Sequence, residues 1–151
     1  MISFKQFANL MGRSVMDSRT LVTETLLKTM ESVALEAKAY IGHELSEWPA
    51  LAESTVEEKS KLGYTGRLSA TDPLLRTGEM RASIGAYAVG SVGVVGSNEK
   101  KALWQEMGTL RATGSIPPRP FIGMAMSRAE PQAMLFFGEL AVAMLTPKGV
   151  K

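Results

Sequence analysis

"LLRTGEMRASIGAYAVGSVGVVGS", residues 74–97, is where the chain changes its hydrophobic period, and the change decides the fold class. From Ser83 to Val89 small and larger residues alternate loosely, and a second β-rich piece follows a Gly90-Ser91 dipeptide. Period-2 alternation on both sides of a two-residue glycine-bearing turn predicts an antiparallel hairpin. Gly90, Gly93 and Gly96 do not make a phosphate loop: the spacing is not GxGxxG, and no Gly-Lys-Ser/Thr follows. Upstream, Thr77-Gly78 predicts a tight turn with the glycine left-handed. Arg76 and Arg81 flank that turn, placed either against a neighbouring subunit or in solvent.

Outward toward the N-terminus the period is helical. Between about Ser14 and Leu45 the only Gly or Pro is Gly42, and Val22, Leu26, Met30, Val33, Ala37 and Ile41 recur at steps of three and four. That spacing draws one apolar stripe, with Glu24, Lys28, Glu31, Glu36 and Lys38 on the other side. About 30 residues make a rod of roughly 45 Å, which either lies along its own sheet or reaches a neighbouring chain. Trp48-Pro49 then predicts a turn, and Ser54 with Glu57 has capping-box spacing ahead of a short helix stopped by Gly63.

Outward toward the C-terminus, "NEKKALWQEMG" (98–108) predicts a short helix with Trp104 and Met107 facing inward. A flexible loop is expected over 109–115, and then "IPPRPFIG" (116–123), stiffened by Pro117, Pro118 and Pro120. Glu130-Pro131 predicts the start of a last helix, with Ala133, Met134, Phe137, Leu140, Ala141 and Met144 on its apolar face and a frayed tail over 146–151. The expectation is one α+β domain over 1–151: a small antiparallel sheet packed with a long N-terminal helix and a C-terminal helix.

Totals restrict the chemistry. The 151 residues include no cysteine and one histidine, His43, which argues against thiol nucleophiles, zinc fingers and His-rich metal sites. His43 near the end of the long helix is explained by the helix dipole, and no nucleophile-base pair or cofactor motif accompanies it, so no enzyme, metal or cofactor is expected. Net charge is +2, divided as −2 over residues 1–66 (7 basic, 9 acidic) and +4 over 67–151 (10 basic, 6 acidic). No basic run marks a dedicated nucleic-acid surface. Neither a secretory signal nor a membrane span is expected, and synthesis in the cytoplasm is. The ten methionines fall mostly at core-like spacing, while Met124 and Met126, just after the prolines, are candidates for an interface.

Taken in order, several of these pieces resemble the tail-completion and virion-morphogenesis proteins of tailed bacteriophages, which join tails to heads. "WPALAESTVEEKSKLG" (48–63) is similar to that family's tryptophan or leucine, threonine, lysine and glycine run. "LLRTGEMRASI" (74–84) looks like its Leu-Leu-x-Thr-Gly-x-Leu-x-x-Ser-Ile motif, and a hairpin ending in "VVGS" (94–97) follows. "ALWQEMGT" (102–109) stands where the family has Ala-x-x-His-Glu-x-Gly-Thr, and "IPPRPFIG" resembles Ile-Pro-Ala-Arg-Pro-Phe-Leu. Gln105 replaces a frequent histidine and Pro118 a frequent alanine. The pieces run from about Trp48 to Gly123 in the family's order.

The resemblance implies a structural virion protein made in the host cytoplasm. It would form a homo-oligomeric ring, commonly a hexamer, at the head-proximal end of the tail. Its partners would be head-completion or connector, tail-terminator and tail-tube proteins, with DNA touched only through the ring lumen. A tail terminator or other minor tail protein is the alternative, and a DNA-contacting connector a more distant one. On this reading Arg76, Arg81, Trp104, Glu106, Arg119, Phe121 and Met124 belong to assembly interfaces. Phe121 would enter an apolar pocket while Arg119 reaches a carboxylate or carbonyl, unless the proline segment is a crossover inside one subunit with Phe121 in its own core.

Overall fold

The computed structural model describes residues 4–43, 45–64, 70–110 and 114–145, without the side chains of 4, 6–16, 143 and 145. Among the described residues seven elements follow one another: α1 (Phe4–Tyr40), α2 (Glu53–Lys61), α3 (Glu79–Ala82), β1 (Ile84–Val89), β2 (Val92–Ser97), α4 (Lys100–Met107) and α5 (Ile122–Leu145). The α+β expectation holds: a two-stranded antiparallel sheet lies on a long N-terminal helix, and a long C-terminal helix packs on that same helix.

The 37 residues of α1 make a rod of roughly 55 Å. Its predicted stripe is the one buried, with Met30, Val33, Ala37 and Ile41 in the core and Val22 and Leu26 half-covered. The helix starts well before Ser14 and stops at Tyr40, short of the expected Leu45. It stops because Gly42 turns left-handed (φ 88°) and gives its N–H to Pro73 O at 3.0 Å, so the backbone leaves the helical path. His43 therefore lies beyond the helix, exposed to solvent.

In the hairpin Ala86 faces Val95, Tyr87 faces Val94 and Val89 faces Val92. Gly90 alone of the two turn residues has positive φ, 59°, as a turn with glycine in first place requires. Ile84, Ala86, Ala88, Gly93 and Val95 form the face toward α1. Gly93 allows the closest approach, since a Cβ there would lie 2.7 Å from Met30 Cγ. The Thr23 hydroxyl fastens the turn from α1, 2.7 Å from Gly90 O.

Three local expectations give way. Ser54 and Glu57 form no capping box: α2 begins at Glu53 with Ala52 as its N-cap, and Ala52 O already accepts the N–H groups of Thr55 and Val56. Trp104 and Met107 do not face inward; Ala102 takes the inside of α4, and Trp104 and Met107 are exposed. Finally, α5 opens at Ile122 rather than Pro131, which lies inside it, and its second half turns Met134 and Met144 out to solvent. Thr77-Gly78 does turn as expected, with Gly78 at φ 83°, and α3 follows directly. The middle of the 109–115 loop and the 146–151 tail lie outside the described residues. The ends of that loop are joined by a Thr109–Ile116 bridge with two 2.9 Å hydrogen bonds.

Candidate functional site

Chain chemistry around the prolines is nearly closed. Residues 116–121 carry only three backbone N–H groups, because Pro117, Pro118 and Pro120 have none. Ile116 N–H donates to Thr109 O at 2.9 Å and Arg119 N–H to Gln105 O at 2.7 Å, while Phe121 N–H donates to the Glu106 carboxylate at 2.8 Å. No backbone donor of this segment is left for a partner strand. Gly108, left-handed at φ 72°, brings α4 against the segment so tightly that a Cβ would sit 2.8 Å from Ile116 O.

Glu106 is the pivot. Its two carboxylate oxygens accept from the N–H groups of Phe121, Ile122 and Gly123 at 2.8, 3.0 and 2.8 Å. These are orphan donors of the first turn of α5, and a negative charge there also complements the helix dipole. That cap explains why α5 opens nine residues before Pro131. Gly123 has no side chain to obstruct it, since a Cβ would stand 3.1 Å from Glu106 Oε1.

Arg119 reaches back across the sequence. Its Nη2 donates to Pro49 O at 2.8 Å and Ala50 O at 3.1 Å, and its Nε to Pro49 O at 3.2 Å. The residue is 5% exposed, and burial pushes the guanidinium below its ordinary pKa. Beside it Phe121 is fully buried, in the core that also holds Tyr40, Ile41 and Trp48. Tyr40 and Trp48 meet edge to face at 6.5 Å. Phe121 and Arg119, expected at an assembly interface, are thus internal in the folded chain: the crossover reading describes them. Glu106 is likewise engaged with its own chain, and Met124 packs half-buried against the core.

Arg76 and Trp104 remain on the surface. They share with Arg119 the lining of an open groove of about 730 Å³, between α2, the Gly78 turn, α4 and the proline segment. Arg76 bridges to Glu58 at 3.0 Å and lies 5.1 Å from the centre of the Tyr64 ring. Lys101 approaches Glu79 at 3.8 Å on the facing rim. In the wall, Lys59 is buried and donates to Asp72 O, and burial lowers its pKa below the ordinary lysine value. Arg81 is half-buried on α3, outside the groove lining. Sequence reasoning missed Lys59, the Gln105 carbonyl that accepts from Arg119 N–H, and the two carbonyls at Pro49 and Ala50. A buried lysine has no local signature, and carbonyl acceptors have none at all.

Among the described residues no three His, Cys, Asp or Glu side chains gather to hold a metal, and no helix is long and apolar enough to cross a membrane. Compared with known proteins, the chain matches no family model, no curated protein and no solved structure.

Exposed apolar surface is the other feature of note. Leu103, Trp104 and Met107 stand out on α4, and Met134, Leu135, Phe137, Val142 and Met144 on α5. On the outer side of the hairpin, Tyr87, Val89 and Val92 do the same. From Pro131 to Leu145 the one charged residue is Glu139, and β1 and β2 contain none. A helix apolar on all sides belongs in a larger core.

Proposed function

We propose that this chain is a structural virion protein of a tailed bacteriophage, a tail-completion or neck component that joins tail to head and catalyses no reaction. The observation that carries the reading is the division of labour between residues. The resembling motifs supply the chain's own architecture, through Glu106, Gly108, Arg119 and Phe121, while large apolar side chains on α4, the outer half of α5 and the hairpin are left open to solvent. Large apolar side chains exposed in groups, as on the outer half of α5, are suited to protein–protein contact.

On this reading the open surfaces bind further copies of the chain, as a ring of about six, and the adjoining neck and tail proteins. The groove beside Trp104 and Arg76 is one such contact. Localisation is the assembled virion, after synthesis in the host cytoplasm.

The test is genetic and structural together. Phage particles made without the chain are examined by electron microscopy, and adding purified protein back to the lysate is expected to convert separate filled heads and finished tails into infectious particles. Normal particles in its absence would refute the assignment.

A further inference from the structure

The groove between α2, the Gly78 turn, α4 and the proline segment carries an unbalanced charge. Its lining holds four cationic side chains, Lys59, Arg76, Lys101 and Arg119, and two carboxylates, Glu58 and Glu79. Both carboxylates stand at the exposed rim, where Arg76 (3.0 Å) and Lys101 (3.8 Å) already engage them. The other two cations are buried. Lys59 has the buried Asp72 close enough to favour its charged form. Arg119 differs: among the described residues only carbonyl oxygens accept from its side chain, and burial lowers its pKa with no carboxylate opposing.

Those carbonyls leave one nitrogen over. Nε and Nη2 donate to Pro49 O and Ala50 O, whereas Nη1 has no acceptor among the described residues. Nor is Nη1 sealed in the interior, as the indole nitrogen of Trp48 and the side-chain oxygens of Gln105 and Thr109 are. An otherwise internal guanidinium therefore keeps one edge toward the groove it lines. A buried charge answered by carbonyl dipoles alone is costly, and an incoming carboxylate offsets that cost with a charge-assisted hydrogen bond.

The same lining supplies apolar surface, from Trp104, which is 38% exposed, and from Ile116 and Pro117. An inorganic anion would leave that surface bare. A nucleic-acid strand would carry repeated phosphates past Glu58 and Glu79 at the rim, where like charges repel. An acidic side chain next to an apolar one meets both parts of the groove, and the opening of about 730 Å³ is the size of a ligand site. We propose that the groove holds an extended segment of a partner protein, seating an Asp or Glu carboxylate on Arg119 Nη1 and an adjacent apolar side chain against Trp104. The proposal rests on the reading of this groove as a contact between virion proteins and adds the chemistry of what enters it.

The test starts with a random peptide library selected on the full chain. Enriched sequences are expected to share an Asp or Glu beside Leu, Met, Phe or Trp. The strongest is then synthesised and its affinity measured by calorimetry. Replacing its acidic residue by the matching amide is expected to weaken binding by about 10-fold or more, and this arm leaves the protein itself unaltered. Trp104→Ala, with a melting curve to confirm folding, is expected to weaken it by a similar factor, while Met134→Gln, outside the groove, leaves it unchanged. In NMR spectra the Arg119 Nε–H and Trp104 indole signals are expected to shift with the acidic peptide.

No enriched sequence overturns the proposal. So do enriched sequences without an acidic residue, an amide peptide that binds as tightly as the acid, or an Arg119 signal that stays in place. A single-stranded oligonucleotide that displaces the peptide and moves the same signals at lower concentration overturns it in favour of nucleic acid. Peptide binding as expected, with normal particles formed in the absence of the chain, keeps the groove chemistry and drops the virion role. Defective particles with no enriched peptide do the reverse.

Discussion

The corner where α4, the proline segment and α5 meet differs from the outer half of α5 in what its side chains satisfy. In the corner a carboxylate, a guanidinium and a phenyl ring are all directed into the chain itself, on Gly123, Ala50 and the core around Trp48. Fifteen residues on, a run with one charged residue lies open to solvent. The polar motif residues therefore specify the fold, and the apolar outer surface is the part proposed for partners. If this contrast is right, changes in the corner unfold the monomer, and changes on the outer surfaces leave it intact.

The largest effect is expected from Phe121→Ala. A fully buried phenyl ring leaves a cavity that the stiff proline backbone cannot close, so the cost is about 3–5 kcal/mol in urea unfolding. A loss below about 1 kcal/mol would put Phe121 on a surface and erase the contrast. Next is Gly108→Ala, at about 2–3 kcal/mol, because the residue is left-handed and its new methyl would collide with Ile116 O. Thermal melts of the two variants should rank in that order.

Glu106 gives a finer probe. Alanine removes acceptors from three N–H groups of α5 and should cost about 1–2 kcal/mol, with the lost helicity confined by hydrogen exchange to residues near 121–126. Glutamine, which keeps one oxygen but no charge, should recover part of it. Equal losses in both variants would assign the effect to the charge alone.

How far was this legible in the sequence? The hairpin, the Gly78 turn and the α1 stripe were, because each is written in a local period or a single glycine. The corner was not, because its bonds join residues far apart: Arg119 and Pro49 are 70 positions apart, Phe121 and Glu106 fifteen. Spacing also assigns residues to a common face without saying which way it points. Trp104 and Met107 share a side of α4, but Ala102 was small enough to take the core, and Glu106 was needed at α5, so the tryptophan went out. Pro131 misled for a related reason, since a favourable first-turn residue does not open a helix that a cap has already started.

Lys59 sharpens the contrast through pH. Burial holds its folded-state pKa below the unfolded 10.5, so in the interval between those two values the unfolded chain binds more protons. Stability contributed by this group therefore rises with pH as the interval is crossed, up to about 10.5. Tyr40, held above 10.0 chiefly by burial and also by Glu36, acts the other way in the alkaline range. The difference between wild type and Lys59→Met cancels the tyrosine and should show the rise alone. A flat difference curve would mean that Lys59 is as well solvated folded as unfolded.

The smallest effect in the monomer belongs to the outer surfaces, and it decides the comparison. Met134→Gln and Met107→Gln exchange side chains of similar length at positions 71% and 72% exposed, where almost no packing is lost. Exposed helical positions of this sort tolerate substitution within about 0.5 kcal/mol, and glutamine has helix propensity close to methionine. Unchanged melting temperatures for the dilute monomer, beside a large loss in Phe121→Ala, would separate residues that build the chain from residues held open for contact. A melting temperature that drops with Met134→Gln only at high protein concentration would say more, because stability that depends on concentration comes from association. Its disappearance on dilution would locate the lost contact between copies, on the outer side of α5.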